Sequence, residues 1–134
     1  MLAFQDSIWR TEEKHFDVED FLKQYKLSHL TQPFVEGELD RKGVAHNNSG
    51  FNLLISEEAE PESHMKLVQK FLVDYSEAIK HLNKAGVPSE LDFGCSLQKS
   101  DFIKSVCISS TLLEEIAKLQ MTIKISIYQS GPDE

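Results

Sequence analysis

The sequence predicts an α+β fold: a single mixed or mainly antiparallel sheet of about five or six strands, with one long and two short helices packed on it. Three observations carry that expectation. In the last third, Met121, Ile123, Ile125 and Ile127 alternate with Thr122, Lys124, Ser126 and Tyr128, directly after a helical stripe of Leu112, Leu113, Ile116 and Leu119. In the middle, Met65, Val68, Phe71, Leu72, Tyr75, Ile79 and Leu82 share one face of a helix expected from about Pro61 to Lys84. Between the two, Leu91, Phe93, Cys95 and Leu97 alternate as a strand. Helices interleaved with strands, each helix carrying one apolar stripe, bury those stripes most simply against a shared sheet.

The remaining elements follow from local chemistry. Leu2, Phe4 and Ile8 share a parity and predict a first strand, with Trp9 on its other face. Asp17 is placed to cap a short helix whose stripe is Val18, Phe21, Leu22 and Tyr25, with Asp17, Glu19 and Asp20 at the dipole-favoured end. Phe34–Leu39 reads as a strand broken at Gly37, and Asn47-Asn-Ser-Gly50 as a turn before the buried strand Phe51–Ser56. Pro61 opens the long helix, Gly86 supplies its left-handed C-terminal residue, and Pro88 stops it from resuming. Near the end, Ser105–Ser109 is expected as a strand, and Thr111 with Glu114 as a capping box for the helix Ser110–Gln120.

At 134 residues the chain fits one domain over 1–134, large enough to bury roughly two-thirds of its unfolded surface, with a tail near 130–134 expected to be mobile. Asp and Glu number 22 against 14 Lys and Arg, a net charge of −8. Such a surface repels phosphate backbones and anionic lipids and favours cationic partners, so neither nucleic acid nor membrane is expected as a ligand. The apolar start Met1-Leu-Ala-Phe is broken by Gln5 and Asp6, and no segment reaches the ~20 apolar residues of a membrane span. A cytoplasmic location is the expectation. The two cysteines fit reduced thiols: a hairpin of 91–97 with 104–109, aligning Phe93 with Ile108 and Cys95 with Val106, turns Cys95 inward and Cys107 outward.

No reaction chemistry is spelled out. The five histidines, His15, His29, His46, His64 and His81, lack zinc-binding spacing, and each is expected at the surface. There is no G-x-S-x-G turn, and Gly37, Gly43 and Gly50 do not precede a phosphate-cradling helix, so no cofactor and no metal is expected. Glu57, Glu58, Glu60 and Glu62 lie in a solvated loop and helix start, where a carboxyl group gains no catalytic pKa shift. They read better as a recognition surface: with Glu36, Glu38 and Asp40 they would form an acidic edge beside the 51–56 strand, able to meet Lys and Arg of a basic partner.

Three segments together resemble a bacterial domain family found among toxin and immunity loci: the first strand with the Asp17–Leu27 helix leading to Glu36-Gly37-Glu38, the strand Asn48–Ser56, and Ile108–Leu119 ending at Ile127-Tyr128. The loop from Leu39 to Asn48 and the absence of a tryptophan after Gly50 depart from that pattern. The resemblance implies an immunity protein, a small acidic cytosolic binder with no catalysis of its own that neutralises a toxin domain, often a basic nuclease, by steric and electrostatic occlusion. Two other classes fit the same residues: a small-ligand or enzymatic domain with a pocket between the long helix and the sheet, lined by Tyr75, Cys95 and Tyr128, and a homo-oligomeric scaffold using an exposed sheet edge.

Overall fold

The computed structural model describes residues 3–97 and 105–129. The element order is β1 (Ala3–Glu13), α1 (Val18–Gln24), β2 (Pro33–Phe34), β3 (Ser49–Ser56), α2 (Pro61–Asp74), α3 (Ser76–Lys84), β4 (Ser89–Leu97), α4 (Ser110–Lys118) and β5 (Thr122–Gln129). The chain is α+β, with one open mixed sheet in the order β2-β3-β1-β4-β5. Strand β1 lies at the centre and is antiparallel to both β3 and β4, whereas β5 joins the far side of β4 in parallel. A parallel neighbour needs a crossover, and α4 lies within that connection.

The helices cover one face of the sheet. Trp9 is fully buried there, edge-on to Phe21 of α1, Phe51 of β3 and Phe71 of α2. Its indole N–H donates to Ser89 Oγ at 3.1 Å, so the largest side chain of the core leaves no polar atom unpaired. Val68, Leu72, Ile79, Leu82, Leu112 and Ile116 complete the layer from the helix side. On the opposite face strand side chains meet solvent: Asn52 and Leu54 of β3, Lys124 and Tyr128 of β5 are all exposed.

Two bulges set which residues reach the core. Between β1 and β4 the register steps from Phe4↔Cys95 to Asp6↔Gly94, and between β1 and β3 it steps from Ser7↔Ser56 to Ile8↔Leu54. Each extra residue reverses the alternation beyond it. Phe4 and Trp9 therefore face the core together, and the parity expected from Leu2, Phe4 and Ile8 fails after Gln5: Ile8 turns to the open face.

Several further expectations are corrected. The long helix is two helices, because Tyr75 at φ −112 and ψ 19 leaves helical geometry between α2 and α3. Residues 105–109 form no strand, so the hairpin pairing Phe93 with Ile108 and Cys95 with Val106 does not exist; β4 pairs with β1 and β5 instead. Residues 98–104 and the tail 130–134, with the turn expected near Lys99, fall outside the described residues. Cys95 is nevertheless buried and Cys107 exposed, both as free thiols. The cap of α4 is Ser109, whose hydroxyl accepts Leu112 N–H at 3.2 Å, in place of Thr111. The strand expected over Phe34–Leu39 shrinks to Pro33–Phe34, and beyond it Asp40 organises a turn closed by a Leu39↔Ala45 bridge.

Candidate functional site

The acidic residues singled out by the sequence occupy two sites at the two ends of β3. Glu36 donates its backbone N–H to Ser49 Oγ at 2.8 Å, which fixes the first group beside the start of the strand. The second group leaves the strand directly after Ser56. With eight residues between them, the groups stand about 23 Å apart, so they flank β3 from its ends and do not merge into one edge cluster. Between them the open face presents Asn52 and Leu54, the latter 46% exposed.

Both acidic loops are held by hydrogen bonds. Asp40 Oδ1 accepts the backbone N–H groups of Lys42 at 2.8 Å and Val44 at 2.9 Å, and the Val44 bond chiefly holds its carboxyl below the usual range. Glu36 accepts His15 N–H at 3.1 Å. Glu60 caps α2, accepting Glu62 N–H at 3.1 Å and Ser63 N–H at 2.6 Å, and the Ser63 bond depresses its pKa most. Glu58 accepts Glu60 N–H at 3.2 Å, and Glu62 pairs with Lys66 at 3.5 Å. Glu57, Glu58, Glu60 and Glu62, like Glu38 and Asp40, remain exposed; Glu36 is half-buried. Glu57 and Glu38 carry charge without a capping role.

The second loop is anchored from below by a histidine that the sequence placed at the surface. His64 is fully buried, its ring stacked on Phe4 at 4.3 Å and 6°. Its Nδ1 lies 2.8 Å from the carbonyl oxygen of Glu58, an atom that can only accept, so Nδ1 carries the proton. Nε2 is then the acceptor for Ser7 Oγ–H at 2.5 Å. Ser56 Oγ accepts Glu58 N–H at 3.1 Å and lies 3.2 Å from the same Nδ1. The two bulges explain this convergence: the one in β3 turns Ser56 inward, and the one in β1 brings Phe4 and Ser7 to the same face.

A serine hydroxyl on a histidine whose other nitrogen is oriented is the wiring of a nucleophile and base. Here both Ser7 and His64 have 0% exposure, so no substrate atom reaches the pair. What the arrangement does is fix Glu58 and the loop around it. Burial pushes the His64 pKa below its ordinary value, against the opposing attraction of Asp6 and Glu58.

On the open face, Asp92 is buried at 3% exposure although no helix covers it. Arg10 Nε donates to its Oδ2 at 3.1 Å and Ser126 Oγ to its Oδ1 at 2.8 Å, which joins β1, β4 and β5. Beside this bridge lies a shallow hollow of about 450 Å³, bounded by Arg10, Glu12, Phe34, Asn52, Glu90 and Lys124. Its walls carry both signs of charge. The pocket expected from Tyr75, Cys95 and Tyr128 does not form: Cys95 lies in the core, whereas Tyr128 lies on the open face beside Gly94, where a Cβ would stand 3.3 Å from its ring.

Among the described residues, no group of three or more His, Cys, Asp and Glu gathers to hold a metal ion, and no helix is long and apolar enough to cross a membrane. No protein-family model, curated protein or solved structure matches the chain.

Proposed function

We propose that the protein is a cytoplasmic immunity protein, a non-catalytic binder that occludes a basic toxin domain, such as a nuclease, against the β3 side of its open sheet face. One observation carries this reading: an exposed strip centred on Leu54 is bounded at both ends by acidic loops that their own hydrogen bonds hold in place. A standard interface covers about 800 Å² on each partner, a patch about 32 Å across. The spacing of about 23 Å between the acidic ends therefore fits inside one footprint, with the apolar centre and charged rim that such interfaces share. Loops already ordered before binding lose less entropy when a partner arrives.

The resemblance to toxin and immunity loci and the net charge of −8 support the same partner class. Steering by that charge speeds encounter with a cationic surface, and blocking requires no chemistry from the binder. The test is association with the polypeptide encoded directly upstream, measured for the natural chain and for the double variant Glu57→Lys, Glu62→Lys. These positions leave the Glu60 cap and the His64 anchor intact. The association rate should fall at least tenfold at low salt, and the difference should shrink as salt is added. An unchanged rate removes the second acidic loop from the interface, and turnover of a metabolite by the purified protein, abolished by a single side-chain change, removes the immunity reading altogether.

A further inference from the structure

We infer that β5 is a homodimerisation strand: two copies of this chain pair their β5 strands antiparallel about a two-fold axis at Ile125, extending the sheet from one protomer into the other. The inference is independent of the proposed toxin surface, which lies on the other side of the sheet.

Strand β5 is the outer strand beyond β4, and among the described residues no strand pairs with its far edge. Its register with β4 runs without interruption from Glu90↔Thr122 to Leu97↔Gln129. Edges that must stay unpaired are shortened, bulged, charged or broken by proline. Strand β5 has eight residues, no bulge, no proline and Lys124 as its one charge. The opposite side of the sheet is treated differently: β2 pairs with Phe51 and Gly50, Thr31 Oγ1 donates to Asn52 O at 2.7 Å, and the acidic loops follow. Strand β5 also leaves Ile125 45%, Ile127 57% and Tyr128 45% exposed, a concentration of apolar surface that solvent does not favour.

The sequence selects a second copy as the occupant. A two-fold perpendicular to the sheet keeps each face on its own side, so paired residues share parity and the axis must pass beside a self-opposed residue. Centred on Ile125, the pairing sets Ile123 against the partner's Ile127, Ile125 against the partner's Ile125, and Lys124 against the partner's Ser126. Centring on Lys124 would oppose two ammonium groups directly, and centring on Ser126 would set Ile123 against Gln129. Only the Ile125 axis matches isoleucine with isoleucine along the whole stripe. No acidic residue lies in β5, so the strand itself adds no carboxylate to the repulsion between two chains of charge −8. That repulsion is screened by salt, and the dimer should tighten as salt is added.

Sedimentation equilibrium of the full chain, from low micromolar to near-millimolar concentration, is the test. The account expects a reversible monomer–dimer equilibrium that strengthens with salt and is weakened at least tenfold by Ile125→Lys and by Ile127→Lys, two exposed positions whose variants should keep the natural circular dichroism spectrum. Opposed Cα atoms in such a pair lie about 4.5–5.5 Å apart, within disulfide reach, while diagonal neighbours lie beyond it. In a Cys107→Ser background with added oxidant, Ile125→Cys should cross-link to itself and Ile127→Cys should not. A chain that stays monomeric throughout, a dimer indifferent to both lysine variants, or a dimer in which Ile125→Cys fails to cross-link would overturn the proposal. Capture of an unrelated strand peptide with no self-association would likewise reject a second copy as the occupant.

Discussion

Lys26, Gly86 and Gln120 adopt the left-handed conformation, with φ of 58, 77 and 53 degrees, at the ends of α1, α3 and α4. In each case the following residue reaches back five positions: Leu27 N–H to Leu22 O, Val87 N–H to Leu82 O and Met121 N–H to Ile116 O. An apolar residue at both ends of each bond closes the turn, the arrangement of a Schellman motif. Glycine occupies the left-handed position in only one of them. A side chain there meets its own backbone, at a cost of about 1–2 kcal/mol before the extra freedom of glycine in the unfolded chain is subtracted. Gln120→Gly and Lys26→Gly should therefore each raise stability by about 0.5–1 kcal/mol, read as a shifted urea midpoint with an unchanged slope.

His64 governs a second prediction at this scale. Its ordinary pKa is 6.5, and burial lowers it in the folded chain. Between those two values the unfolded chain binds the extra proton, so the stability this residue contributes is complete above pH 6.5 and is lost as pH falls through the folded value. Chemical denaturation from pH 8 to pH 5 should show that decline, and His64→Leu should flatten it. The variant should also cost about 2–4 kcal/mol at neutral pH, since Ser7 and the Glu58 carbonyl lose their partner in the interior.

At the scale of elements, Gly50 and Asp92 hold the sheet together by opposite means. A Cβ at Gly50 would stand 2.0 Å from the backbone oxygen of Thr11 and 2.8 Å from the Phe34 ring, so β3, β1 and β2 approach as closely as they do because that atom is missing. Gly50→Ala should cost about 3 kcal/mol or more by forcing the strands apart. Asp92→Ala should cost about 3 kcal/mol by stranding Arg10 and Ser126, and Arg10→Ala should cost a similar amount. Melting curves at pH 7 check all three.

Much of this architecture was legible in the chain. Asp17 and Gly86 cap the helices they were read to cap, and the stripes of α2 and α3 point inward as their spacing predicts. The errors of strand facing share a cause. Alternation reports a face only while the register is unbroken, and the bulged segments of β1 and β3 themselves carry no proline or glycine, the nearest being Gly94 on β4 opposite the β1 bulge. These bulges turn Ser7 and Ser56 inward to meet His64, expected at the surface, and the three form one buried cluster. Tyr75 interrupts the long helix without a helix-breaking residue, and Ser109-Ser-Thr111 offers three hydroxyls of which only the first lies where it can cap. The acidic residues were legible as exposed charge. Their separation along β3 was not, because charge carries no information about which end of a strand a loop joins.

For the whole molecule, one covered face builds the core and one uncovered face remains for contact. The β3 side of that face is bounded by acidic loops, and the β5 side ends in an apolar strand edge. On the two proposed readings salt acts with opposite sign on the two sides: association with a cationic partner should weaken, while self-association should strengthen. The measurement that tests the central claim most directly is amide hydrogen exchange of the chain, free and bound to the polypeptide encoded directly upstream. The account predicts new protection along residues 52–62 and 36–40 with the helical layer unchanged. Protection confined to α1, α3 or α4, with both acidic loops exchanging as in the free chain, would contradict it.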